Sequence, residues 1–254
     1  LTNHQEKALV TGGSSGLGRA ICDVLVARGC VVTSIDKTAP PRNCGFEHIA
    51  CDLSQRHHVD HALKEAVRAG PFDWLVLNAG ISATGKFEQI DPVAHARVIA
   101  VNAEAPLVLC AGLMQGQGVN AGGRIVFISS LSHFTGYPGA ASYGASKDAV
   151  AIYARSLRKP FSKEHDVSVT CAFPGPLRTK HAERHAPPGA RADKRQSCEI
   201  AAQRIVDDAM RKKAVSFQSG SSRLFAAAGR VAPSSVTGAM HALVYRKLEQ
   251  PVED

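Results

Sequence analysis

The sequence predicts an α/β protein in which one doubly wound parallel sheet carries helices on both faces. Short runs that are apolar along their whole length alternate with helical stretches between residues 7 and 173. Strands of that kind are buried on both sides, as in a parallel sheet. A glycine-rich turn follows the first of them, where doubly wound folds begin their first helix. There is no internal repeat and no interdomain linker, so the 254 residues are expected to form a single domain, 1–254.

The elements follow in order. Residues 7–11 (KALVT) form a first strand ending in the glycine turn, and helical periodicity over 17–28 stops at Gly29. Residues 31–35 and 46–51 read as the second and third strands, 55–68 as an amphipathic helix and 73–77 as the fourth strand. A long helix is expected over 94–114, a fifth strand over 124–129, a second long helix over 141–162 and a sixth strand over 167–173. Pro160 is expected to kink or end its helix early, because proline has no N–H and its ring crowds the preceding turn. Residues 176–200 break the rhythm with Pro176, Pro187, Pro188 and Gly189, which suits a substrate lid beyond a strand's carboxyl end. A helical tail is expected over about 221–248.

Composition narrows the function. Seven cysteines without a C-x-x-C pair read as reduced, structural thiols of a cytoplasmic protein. His57, His58 and His61 read as a solvated helix face, and no metal is expected. No run of eighteen apolar residues occurs, so no membrane span is expected, and the early first strand leaves no secretory leader. The net charge of +8 is spread along the chain without an aromatic-rich basic motif, which argues against nucleic acid. One basic excess, Arg178, Lys180, Arg184, Arg191, Lys194 and Arg195 against Glu183 and Asp193, suits a solvated lid or the steering of an anionic substrate.

Chemistry enters with Tyr143 and Lys147 in Y-G-A-S-K, and with Ser130 thirteen residues upstream. Residues four apart on a helix are neighbours on one face. An ammonium beside a phenol favours the phenolate, so a lowered tyrosine pKa is expected, and a phenol so tuned can exchange a proton with an alcohol or carbonyl.

A second motif, T-G-G-S-S-G-L-G over 11–18, joins the first strand to the first helix. Glycine permits the tight turn and a close backbone approach to a pyrophosphate, which the helix N-terminus then receives. Asp36 ends the second strand twenty residues past Gly16. A carboxylate there accepts hydrogen bonds from ribose hydroxyls and repels a 2′-phosphate, which favours NAD(H) over NADP(H). Lys37 and Arg19 are nearby cations that could soften this preference.

With these motifs in order, residues 7–180 resemble the classical short-chain dehydrogenase/reductase family. The resemblance implies a single Rossmann domain with a mostly seven-stranded parallel sheet. It assigns the cofactor to Gly12, Ser14, Ser15, Gly16, Leu17 and Gly18, to Asp36 and Lys37, to Asp52 and Leu53, and to Asn78, Ala79 and Gly80. Tyr143 and Lys147 would bind it too, and Pro174, Gly175, Leu177 and Thr179 match the segment that holds the nicotinamide carboxamide. The implied catalytic set is Ser130, Tyr143, Lys147 and Asn102. Tyr143 would be the general acid/base, Lys147 would lower its pKa and bind the ribose, Ser130 would bond the substrate oxygen, and Asn102 would hold a relay water.

The function so implied is an NAD(H)-dependent oxidoreductase interconverting a secondary alcohol and a ketone. An NADP(H)-dependent carbonyl reductase and a non-catalytic dinucleotide sensor are the alternatives. Ser82, Phe87, His133, Phe134, Tyr137 and His181 are expected to line a substrate pocket. A homodimer through helices 94–114 and 141–162 is expected, with a tetramer as the alternative.

Overall fold

The computed structural model describes residues 4–186, 195–248 and 250–254. The first half runs β1 (Lys7–Thr11), α1 (Gly16–Ala27), β2 (Val31–Asp36), β3 (Glu47–Ala50), α2 (Arg56–Ala69), β4 (Phe72–Leu77) and β5 (Ala83–Thr84). Then come α3 (Pro92–Ile99), a π turn (Ala100–Glu104), α4 (Ala105–Gln115), β6 (Val119–Ile128), α5 (Ala141–Glu164) and β7 (Ser168–Ala172). The chain continues through α6 (Lys180–Arg184), α7 (Cys198–Met210), β8 (Val215–Ser216), α8 (Gly220–Val231), α9 (Pro233–Leu243) and β9 (Val252–Glu253).

Seven strands pair in the order β3-β2-β1-β4-β6-β7-β8, every described pair parallel. Alternate residues of each strand enter two different cores. Leu9, Leu75, Ile125 and Phe127 meet α2, α4 and α5 on one face, while Ala8, Val10, Trp74, Val76 and Val126 meet α1 and α7 on the other. This is why the strands lack a polar face. Each large side chain so buried contributes about 1.5–3 kcal/mol against exposure. The strand order reverses between β1 and β4, which opens a crevice at their carboxyl ends.

Three elements depart from expectation. The helix expected over 94–114 begins at Pro92 and is interrupted by the π turn that carries Asn102. Helix α5 does not stop at Pro160 but runs to Glu164. Leu157 and Phe161 pack against the core around the proline, and the Phe161 carbonyl accepts from the N–H groups of His165 and Val167. Tertiary packing there outweighs the one hydrogen bond that proline forgoes. Strand β6 starts at Val119, five residues ahead of the expected 124, because Phe72 pairs with Val119 before a register shift. Helix Pro92–Gln115 is, among the described residues, the one long and apolar enough to cross a membrane. Its inner residues Val101, Leu109, Cys110 and Leu113 are buried in the sheet core instead.

Candidate active site

The glycine turn is fastened by side chains from neighbouring strands. Gly12 and Gly16 have φ of 72° and 54°, the left-handed region that favours glycine. A Cβ on Gly18 would lie 2.0 Å from the Gly12 carbonyl oxygen, so the turn can close only on glycine. Asn78 donates through Nδ2 to the Thr11 carbonyl at 3.0 Å, and the N–H groups of Asn78 and Ala79 donate to Thr11 Oγ1 at 2.9 and 3.0 Å. The Asn78-Ala79-Gly80 turn therefore ties β4 to β1 across the crevice. Ser15 takes the N-cap position of α1 without any side-chain cap hydrogen bond. An uncapped helix N-terminus facing a crevice suits a pyrophosphate.

Asp36 sits at the last position of β2, half-buried, and accepts from the Ser14 N–H and the Thr38 N–H at 3.0 Å each. One oxygen serves each donor, which leaves further lone pairs for hydroxyls. Lys37 is exposed, and Arg19 is committed elsewhere, 2.8 Å from Asp23 with its guanidinium over the Phe46 ring at 5.2 Å. Asp52 works against a burial cost, yet hydrogen bonds from Ser54 and the charge of Lys37 hold its carboxyl below the usual range. Leu53 beside it is buried.

Across the crevice, Ser130 leaves β6 and Tyr143 lies on the first turn of α5. The two side chains are neighbours, Ser130 acting on the Tyr143 phenol, and Ser130 Oγ accepts from the Ser132 N–H at 3.2 Å. Lys147 is 4% exposed, donates to the Ile128 carbonyl at 3.0 Å and holds its Nζ 5.8 Å from the Tyr143 ring centroid. The phenol is not tuned downward as expected. Burial pushes Tyr143 up to about 12, which outweighs the opposing influence of the Ser130 hydroxyl, and burial likewise lowers Lys147 to about 8. The ammonium is spent on a carbonyl instead of the phenol, so desolvation decides both groups.

Asn102 is 1% exposed within the π turn, a feature that often marks functional sites. Its Oδ1 accepts from the Ile81 N–H at 2.8 Å, while Nδ2 donates to the Ile81 carbonyl at 2.9 Å and to Ser146 Oγ at 3.0 Å. Ser146 in turn donates to the Tyr143 carbonyl at 2.7 Å. Asn102 thus joins the turn after β4 to the helix that bears Tyr143. Gly80 completes this junction, since a Cβ there would meet Lys147 Nζ at 3.1 Å.

The segment Pro174 to Thr179 closes the crevice from the far side. The Pro174 carbonyl accepts from the Leu131 N–H at 3.4 Å, Leu177 is buried, and Gly175 lies over Leu131. Thr179 caps α6 by accepting from the Ala182 N–H at 3.0 Å, and its methyl would touch a Cβ on Gly16 at 3.3 Å. The two ends of the expected dinucleotide segment therefore meet.

The expected substrate set disperses. Tyr137 stays with Tyr143, ring centroids 6.1 Å apart. Phe87 is 62% exposed and lines an apolar groove with Ile90, His95 and Ile99 between α3 and α5. Phe134 is buried in an aromatic cluster with Phe173 and Phe217, and His133 stacks on Phe173 and pairs with Asp148. Ser82 and His181 converge on Asp254, which sequence spacing could not bring to them. Of the basic excess, Arg184 pairs with Asp254, and Arg191 and Lys194 lie outside the described residues, with Pro187, Pro188 and Gly189.

The sequence pattern described as short chain dehydrogenase matches residues 6–188. The 3-ketodihydrosphingosine reductase of Mus musculus is 30% identical over 182 residues, 65% of this chain but 54% of that protein, so the chain spans about half the length of this relative. The 3-oxoacyl-[acyl-carrier-protein] reductase MabA of Mycobacterium tuberculosis is 33% identical over 174 residues, 67% of this chain and 69% of its own. A short-chain dehydrogenase from Sphingobium yanoikuyae in complex with NADPH shares the fold, with a TM-score of 0.74 at 21% identity over 94% of this chain and 96% of that one. Fold, motif order and relatives agree: the chain belongs to the classical short-chain dehydrogenase/reductase family of oxidoreductases.

Proposed function

We propose that the protein is an NAD(H)-dependent oxidoreductase that interconverts a secondary alcohol and a ketone. The observation that carries the reading is the Ser130–Tyr143 pair, with Lys147 buried 5.8 Å from the Tyr143 ring centroid at the mouth of the crevice. A bound nicotinamide supplies the hydride chemistry. Tyr143 passes the proton to or from the substrate oxygen, and Ser130 steadies charge on that oxygen. Lys147 would hold the nicotinamide ribose, and Asn102 keeps α5 in register with the turn after β4. The uncapped start of α1 receives the pyrophosphate, and Thr179 with Pro174, Gly175 and Leu177 borders the nicotinamide.

The preference for NAD(H) rests on Asp36, whose carboxylate closes β2 beside the loop while Arg19 is held by Asp23. Calorimetric titration of NAD⁺, NADH, NADP⁺ and NADPH into wild type and Asp36→Ala tests it. Tighter binding of NAD(H), with the preference lost in the variant, supports the reading. Tighter binding of NADP(H) by wild type sinks it in favour of an NADPH-dependent carbonyl reductase, for which the exposed Lys37 is the supporting feature. A homodimer through α3–α4 and α5 fits the exposed Phe87, Val93, Ile99, Leu107 and Ile152 on and beside those helices.

A further inference from the structure

We propose that His181, His185 and Asp254 form a binding site for a divalent transition-metal ion of the zinc class, one that ties β9 to α6. This departs from the sequence expectation of no metal, and it stands independently of the hydride-transfer reading.

His181 and His185 are four apart across α6 and its C-cap, so both rings leave one helix face. Asp254 reaches them because β9 pairs antiparallel with β5, Thr84 opposite Val252. His181 Nδ1 and His185 Nε2 each lie 2.9 Å from Asp254 Oδ2, and the three ligand atoms fall within 4.8 Å of one another. In a tetrahedral site with bonds of about 2.0–2.1 Å, neighbouring ligand atoms lie about 3.3 Å apart. Small rotations of two rings and a carboxylate reach that spacing.

An outer shell is already in place. Thr84 Oγ1 lies 2.9 Å from His185 Nδ1 in a buried contact, so a ring that donates there turns the lone pair of Nε2 toward the cluster. The Ser82 N–H donates to Asp254 Oδ2 at 2.9 Å, and Arg184 engages the other oxygen, Oδ1. The Arg184 charge therefore sits on the side of the carboxylate away from the imidazoles. Two of the three side chains are 6% and 7% exposed, whereas His181 is 39% exposed. That open edge admits an ion and a water as fourth ligand. Two imidazoles with one carboxylate suit zinc, cobalt or nickel and disfavour calcium and magnesium, which prefer all-oxygen shells. An ion here would fix α6, which follows Thr179, against β5, which follows the Asn78–Gly80 turn, and so stiffen the rim of the crevice.

The test uses tag-free protein dialysed against a chelator. Zinc chloride is titrated by calorimetry and cobalt chloride by visible absorption. The expected result is one equivalent per chain, a cobalt spectrum of a four-coordinate ion, and a thermal midpoint that rises with zinc. His181→Ala and Asp254→Asn each weaken zinc at least tenfold, and Thr84→Val weakens it by about tenfold or more through the outer shell. No binding overturns the proposal. Equal affinity and stoichiometry in wild type and His181→Ala also overturns it, by placing the metal elsewhere, for instance on the exposed His57, His58 and His61. His181→Ala decides the matter even if Asp254→Asn fails to fold, because its ring lies at the open edge and leaves no buried void.

Discussion

The two halves of the crevice are built in different ways. On the cofactor side, from β1 to the Asn78-Ala79-Gly80 turn, two side chains fasten the glycine turn: Asn78 bonds the Thr11 backbone, and Asp36 bonds the Ser14 backbone as well as that of Thr38. On the other side, beyond residue 195, α8 and α9 are attached lightly. Leu224, Val231 and Leu243 are 73%, 87% and 66% exposed, and α9 buries no residue. That side is held by a few distant contacts. Thr237 donates to the Thr135 carbonyl, and the positive-φ glycines Gly139 and Gly85 receive Leu248 and Pro251. The first half is a rigid frame for a ligand of fixed shape. The second is a lightly attached cover.

The largest expected effect is on the chemistry between the halves. Tyr143→Phe should lower turnover at least about a hundredfold while dinucleotide affinity, read by calorimetry, stays near wild type. Turnover unchanged in this variant would remove Tyr143 from the mechanism. Gly18→Ala should come next, because its Cβ would lie 2.0 Å from a backbone carbonyl that has nowhere to go. Loss of about 1–3 kcal/mol of stability in urea, together with weakened dinucleotide binding, is expected. A variant as stable as wild type would show that the frame is less rigid than its contacts imply.

Lys147 gives a pH test of smaller size. Its folded pKa of about 8 lies below the unfolded value of 10.5, so between these values the unfolded chain binds the extra proton. The cost of burying the ammonium is complete below about pH 8 and is relieved as pH rises toward 10.5. Wild type should therefore gain stability relative to Lys147→Met between pH 7 and pH 10, by on the order of 2 kcal/mol. Taking the difference cancels Tyr143 and the cysteines other than Cys171, which interacts with Lys147 directly. A gap that stays constant would mean that the folded lysine keeps its unfolded pKa, that is, stays charged and well solvated throughout.

The smallest effect belongs to the cover. Gly238 lies in α9 with nothing within 4 Å of a built Cβ, so Gly238→Ala should stabilise that helix by about 0.5–1 kcal/mol. If α9 unfolds with the sheet, the thermal midpoint rises by about 2 °C. If it frays on its own, only hydrogen exchange within α9 slows, which would sharpen the contrast between the halves.

Much of the frame was legible because its signals are local. A strand, a glycine turn and a helix start lie within twelve residues, and Tyr143 and Lys147 share one helix turn. The order of the strands follows from alternation with helices and the handedness of their crossovers. Less local features escaped. The π turn at Asn102 is set by bonds to Ile81 and Ser146, and the continuation of α5 past Pro160 by the packing of Leu157 and Phe161. Neither leaves a periodic trace. The pocket expected from Ser82, Phe87, His133, Phe134, Tyr137 and His181 dispersed because nearness in sequence does not say which way a side chain turns.

By itself, then, the sequence determined the alternating strands and helices, the glycine turn, Asp36 at the end of β2, and the spacing of Ser130, Tyr143 and Lys147. All of these are written in short-range pattern and backbone permission. Only the tertiary structure decided the electrostatic balance, in which burial raises the phenol and lowers the lysine, because desolvation depends on everything packed around a group. It alone also brought Asp254 to His181 and His185, since a contact spanning about seventy residues is made by the folded sheet and not by any local pattern.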